Sequence, residues 1–134
     1  MVVFPQPDGP IIATNSPRLL LVAGISVIEQ ISVSRIVRNA LEDTKAILAD
    51  IQAGSIQEAE KKAHALDQAW DEQAKRLEML VDHGSTDDVR YALSKLIAAL
   101  EGGDHAAAMI YAGELEGGIE HVHERQALTI ENLL

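Results

Sequence analysis

The chain contains no cysteine. That excludes a disulfide scaffold, thiolate zinc, iron–sulfur clusters and a cysteine nucleophile, and leaves the compartment open. Aromatic residues are nearly as scarce, with one Trp, two Tyr and one Phe in 134 residues. The interior must therefore be built from Leu, Ile, Val and Ala, which suits helix-on-helix packing better than a sheet. Basic residues number 11 against 21 acidic ones, for a net charge of −10. Those present, such as Arg35, Arg38, Lys61, Lys62, Lys75 and Arg76, are scattered in ones and twos. No cluster stands ready to neutralise a phosphate backbone, so nucleic acid is not an expected partner. Motifs of catalysis are missing too: there is no G-x-S-x-G, no glycine-rich phosphate loop and no H-E-x-x-H. No cofactor is expected.

Proline is confined to one end. All four prolines fall in "MVVFPQPDGPIIATNSP", residues 1–17. That density forbids a helix and predicts a disordered leader, which a mis-called start or an altered reading frame would also explain. Residues 18–33 follow as an apolar segment, with "LLLVAGISVI" running ten positions before Glu29. A spanning helix needs about 20 such residues, so the run is short by itself. It reads either as the remnant of a membrane anchor through residues 19–31 or as an apolar helix lying on the rest of the chain. No signal-peptide cleavage pattern follows it.

From residue 34 to 134 the pattern is that of one all-α domain of four helices. The first, roughly 34–53, carries Val37, Leu41, Thr44, Leu48 and Ile51 on one stripe. Gly54 then suits a left-handed helix end, and Ser55 with Glu58 forms a capping box for the second helix, roughly 55–83. Its stripe is Ile56, Ala59, Ala63, Leu66, Trp70, Gln73, Leu77 and Leu80, in which only Gln73 breaks the apolar character. The outer face pairs Glu58 with Lys62, Asp71 with Lys75 and Glu72 with Arg76. Ser85 or Thr86 can cap a third helix, roughly 86–101, that turns Val89, Leu93, Leu96 and Leu100 inward. Asp104 can cap a fourth, running to about 123 on Ala108, Ala112, Leu115, Ile119 and Val122. Gly113 and Gly117 share a face of that helix and suggest close packing. Trp70 is expected as a core anchor whose indole N–H needs one acceptor.

The plan is written twice. Shifted by 49 positions, "IQAGSIQEAEKKAHALDQAW" overlays "LEGGDHAAAMIYAGELEGGI", matching Gly54 to Gly103, Ser55 to Asp104, Ala59 to Ala108, Ala63 to Ala112 and Leu66 to Leu115. Two copies of a helix–turn–helix unit with short connections predict an antiparallel up-down-up-down four-helix bundle.

That topology gathers His83 at the end of the second helix, Asp87 at the start of the third, and Glu120 and His121 at the end of the fourth. Asn132 in the tail would fold back over the same pole. Three readings stay open for the cluster: capping of helix dipoles, a mononuclear metal site on His83, His121 and Asp87, or a patch for a partner. Glu120 and His123 form an E-x-x-H pair, but a di-iron bundle needs two such motifs. His64 and His105 stand alone and are expected to face solvent.

Several features together resemble a domain of unknown function, family 4363. They are the glycine–serine turn into "QEAEKKAHALDQAW" with Trp70, His83 with Asp87 four positions on, "AAMIYAGELEGGIEH" with Glu120 and His121, and the closing "LTIENLL" with Asn132. The resemblance implies a short bacterial helical protein with a single N-terminal membrane anchor, its helical domain outside the cytoplasm, and no established activity. A chain with so short an apolar run is soluble if that run does not insert. The expected function is a membrane-tethered interaction domain with an unidentified protein partner, and the alternative is a metal-dependent protein built on the His/Asp cluster.

Overall fold

The computed structural model describes residues 17–78 and 83–133. The leader apart from Pro17, and Leu80, lie outside the described residues. Four helices account for nearly all that is described: α1 (Pro17–Gln52), α2 (Ile56–Leu77), α3 (His83–Glu101) and α4 (His105–Leu133). No strand occurs among the described residues. The chain divides into two compact units, Met1–Ser32 and Val33–Leu134, and α1 contributes to both.

In the first unit, α1 begins at Pro17, where the fixed φ and the missing N–H of proline cost a helix nothing. The helix does not start afresh near residue 34. No glycine pair or proline interrupts the sequence between the apolar run and Ser34, so one helix continues through both. Leu19, Leu20, Leu21, Val22, Ile25, Val27, Ile28 and Ile31 are all exposed on it. They leave no polar face, as a helix lying on a protein core would have.

In the second unit the four stripes meet. Val33, Val37, Ala40, Thr44, Ile47 and Ile51 of α1 are buried. The stripe is rotated from the expected one, and Leu41 and Leu48 flank it half-buried. The hydroxyl of Thr44 donates to the Ala40 carbonyl at 2.8 Å, which satisfies it inside the core. Ala59, Ala63, Leu66, Trp70 and Leu77 of α2 are buried as the spacing predicts, as are Val89, Leu93, Leu96 and Leu100 of α3. Ala108, Ala112, Leu115, Ile119 and Val122 of α4 are fully buried too.

Cross-helix contacts fix the directions. His64 and Asp71 of α2 meet Glu101 and Arg90 of α3, so these helices run antiparallel. Lys95 and Val89 of α3 meet Glu114 and Gly118 of α4, which run antiparallel in turn. The amide of Gln126 on α4 donates to the Ser34 hydroxyl on α1 at 2.8 Å and joins the last helix to the first.

The turns after α1 and after α3 are copies in three dimensions. Gly54 and Gly103 have φ of 79° and 72°. After α1, Gly54 N–H donates to the Ile51 carbonyl and Ser55 N–H to that of Asp50. After α3, Gly103 N–H donates to Leu100 and Asp104 N–H to Ala99. Both are Schellman ends, in which the left-handed glycine lets the chain bond back onto carbonyls the helix leaves open. The capping differs. Asp104 accepts from the Ala107 N–H at 3.0 Å, whereas Ser55 makes no side-chain cap, so the expected capping box is absent.

Three other expectations are corrected. Nothing lies near a Cβ built on Gly113 or Gly117, and it is Gly118 that faces α3, with Val89 Cγ2 at 3.4 Å. The α2 charges reach across helices instead of along one: Lys62 pairs with Asp50, Asp71 with Arg90, and only Glu58–Lys61 is local. His64 faces solvent as expected but does not stand alone, its ring being bonded to Glu101 at 3.0 Å.

Alanine at either left-handed glycine is strained by about 1–2 kcal/mol. Gly54→Ala and Gly103→Ala should each lower stability by that amount in urea unfolding of the purified chain. The two losses should add in the double variant, because the positions share no partner.

Candidate functional site

The residues expected at one pole occupy different positions from those their helix ends suggested. His83 opens α3 instead of closing α2, because α2 ends at Leu77. Its ring pairs with Glu78 at 3.3 Å. Ser85 and Thr86 are buried within the first turn of α3 and do not cap it. Thr86 donates its hydroxyl to the His83 carbonyl at 2.9 Å. Asp87 is half-buried on the same helix, and α4 runs on to Leu133, so His121 lies twelve residues inside it. Nothing in "ERQALTIENL" stops a helix. Asn132 therefore rides exposed on its last turns and does not fold back.

Gly118 against Val89 sets the register of α3 and α4 and brings Asp87 level with Glu120. Even so, no described hydrogen bond or ion pair joins any two of His83, Asp87, Glu120, His121 and Asn132. His121 accepts from Arg125 Nε at 3.5 Å, and Glu120 is exposed. Neither histidine sits in a last helical turn, so dipole capping loses its basis. The described residues bring a different trio together: Glu60, His64 and Glu101 hold one ligand atom each within 4.8 Å. These are largely exposed side chains, one pair of which is already bonded.

Trp70 is 1% exposed, and its indole N–H donates to the Thr86 carbonyl at 3.3 Å. It also lines the floor of a concavity in the second unit. This pocket of about 150 Å³ lies between α1 and α2. Ala40, Leu66 and Trp70 make the buried floor, Ile36 and Gln73 the half-buried walls, and Asn39, Asp43 and Ala69 the exposed rim. The antiparallel pairing of α1 and α2, marked by Asp50 and Lys62, brings these residues together from positions thirty apart.

The polar chemistry there is unbalanced. Gln73 Oε1 is buried with no hydrogen-bond partner. The Asp43 carboxyl is raised from its ordinary 3.8, mainly because part of it is held out of water, with Glu42 adding to the rise and Lys62 opposing it. Gln73 carried a signal in the sequence as the one polar break in an apolar stripe. Asn39 and Asp43 carried none, because they sit on the polar flank of α1.

An all-α four-helix domain without a catalytic constellation among its described residues, on a chain with one helix of membrane-spanning length, is the class these features define. Residues 27–133 match the family described as Domain of unknown function (DUF4363), and the chain belongs to it. No curated protein and no solved structure matches it.

Gln73→Leu removes the orphaned acceptor and should raise stability by about 1 kcal/mol, read by urea unfolding. Asp43 has the opposite sign from a salt-bridged carboxylate. Its folded pKa is raised, so the folded chain binds the extra proton and loses stability as pH climbs through that window. Asp43→Asn should therefore melt higher than the parent at pH 7, and the difference should vanish below pH 3.8.

Proposed function

We propose that this protein is a non-catalytic interaction domain held at a membrane by the N-terminal part of α1. The observation that supports the tether is the exposure of that helix. It reaches a mean hydropathy of 1.7 over an 18-residue window of which only 11% is buried. The core helix of a soluble protein can pass the same hydropathy test, but such a helix is mostly buried. At 1.5 Å per residue, Pro17 to Arg35 extends about 27 Å, close to the thickness of a hydrocarbon core. Glu29 is the only acidic residue in that stretch.

Placement of the four-helix part outside the cytoplasm rests on the family resemblance. The basic residues pull the other way, with Arg18 before the span and Arg35 and Arg38 after it. A phosphatase active only outside the cytoplasm, fused after Leu134, reads the side directly: activity supports the outer placement and its absence the inner one.

An interaction role draws support from the outer face of α3 and α4. Tyr91 and Ile110 are each 63% exposed, and a shallow groove runs between Tyr91, Lys95, Glu114 and Gly118. Lys95 lies 5.7 Å from the Tyr111 ring centre. Aromatic residues are enriched at binding surfaces relative to the rest of a protein's exterior. The alternative, a metal-dependent protein on His83, Asp87 and His121, has no described contact that joins those ligands. Stoichiometric metal in the purified chain, lost in both His83→Ala and His121→Ala, would displace the proposal.

The tether is tested by alkaline carbonate extraction of membranes from cells that make the full chain. The parent should stay in the pellet. Val22→Arg with Ile28→Arg should move it to the supernatant, since each arginine at the centre of a span costs about 2.5–3.5 kcal/mol. A parent chain that washes off overturns the tether.

A further inference from the structure

Glu60, His64 and Glu101 already bring metal-ligating atoms together, and we propose that they bind a divalent transition-metal ion that clasps α2 to α3. Each residue offers one ligand atom, and the three atoms lie within 4.8 Å of one another. The backbone puts them there. Glu60 and His64 are four apart on α2, so one helical turn sets them on the same face. Glu101 is the last residue of α3 and reaches them because the two helices run antiparallel. Its place is fixed by the turn that follows, where Gly102 N–H donates to the Ala98 carbonyl and Asp104 N–H to that of Ala99, both at 2.9 Å. The three ligands thus stand on helices and not on a loop, which is what holds a site in shape.

The charges in this cluster suit a cation. Two carboxylates converge on one imidazole, whose Nε2 is bonded to Glu101 Oε1 at 3.0 Å. No described ion pair or hydrogen bond engages the Glu60 carboxylate. The lysines next to it in sequence turn elsewhere, Lys61 to Glu58 and Lys62 to Asp50. A divalent ion between the two carboxylates replaces their repulsion by attraction. Ligand type selects the ion. Calcium and magnesium prefer shells made of oxygen, whereas imidazole with carboxylate suits zinc and its first-row neighbours. In a tetrahedral zinc shell, bonds of about 2.0–2.1 Å set neighbouring ligand atoms about 3.3 Å apart. The His64–Glu101 pair is already within a few tenths of an ångström of that spacing. Glu60 closes the remaining gap by rotating a half-buried side chain, and water completes the shell.

The test is a calorimetric titration of the full chain, purified without a histidine tag and stripped with chelator. Zinc chloride should bind saturably, with one ion per chain, and magnesium chloride should not. His64→Ala should abolish the binding. Glu60→Gln and Glu101→Gln should each weaken it by about tenfold or more, since the loss of even an outer-shell partner costs a metal site that much. Urea unfolding without metal should leave all three variants close to the parent, because their contacts lie at the surface. Zinc should raise the unfolding midpoint of the parent and not that of His64→Ala, as an ion bound to the folded chain requires. His83→Ala and His121→Ala should bind zinc as the parent does, which separates this site from one built on those residues. A parent chain with no saturable zinc binding overturns the proposal. So does parental affinity in His64→Ala, an equal response to magnesium, or a loss confined to the His83 and His121 variants. Carbonate extraction is unaffected by any of these outcomes, so the tether stands or falls separately.

Discussion

The four-helix part depends on two places where the backbone takes a conformation that only glycine holds without strain. At Gly54 and at Gly103 the chain turns left-handed. The next N–H in each case bonds back five residues, to Asp50 and to Ala99. This closure sets both the length of the turn and the angle at which the following helix leaves. An adjacent antiparallel helix can then present its apolar stripe to the one before it. With so few aromatics, the core has no bulky side chain except Trp70 to absorb a misaligned stripe. Small residues such as Ala59, Ala63, Ala108 and Ala112 fill the positions after each turn, so the helices must start in register. The 49-residue echo in the sequence is the repetition of this one constraint.

Polar contacts join the helices in pairs, and they differ in weight. Trp70 to Thr86 is buried and Gln126 to Ser34 partly buried, and they bridge α2 to α3 and α4 to α1. A hydrogen bond of this kind contributes about 1 kcal/mol and specifies which helix meets which. Lys62 to Asp50, Arg90 to Asp71 and Lys95 to Glu114 lie at the surface. Such pairs contribute well under 1 kcal/mol each and are screened by salt. The acidic surface is thus a matter of solubility more than cohesion.

Much of the fold was legible because α2, α3 and α4 write their buried faces with few exceptions. The inward residues from Ala59 to Leu77, from Val89 to Leu100 and from Ala108 to Val122 could be read by period alone. What misled was punctuation. "HGSTDD" offers several capping residues in a row, and nothing in the string says that His83 already belongs to the next helix. The fourth helix has no breaker after His123, and only its polar tail reads as an end. The left-handed glycines were legible because each follows an apolar stripe and precedes a polar start. The pocket was legible only through Gln73. Asp43 and Asn39 look like ordinary surface residues until the register of α1 against α2 is known, and that register is a tertiary fact.

The hydrogen bond from Gln126 to Ser34 spans 92 positions of sequence. The hairpins on either side of Gly54 and Gly103 close over far shorter loops, so their contacts cost less chain entropy and can form early. Docking the end of the chain onto its first helix must come after them. The chain is also made from its N-terminus, so α1, α2 and α3 all exist before Gln126 does. It is α4 that brings Gly118 against Val89 of α3 and Gln126 against Ser34 of α1. Closing this long loop is therefore the costliest step in chain entropy, and it falls to the last helix.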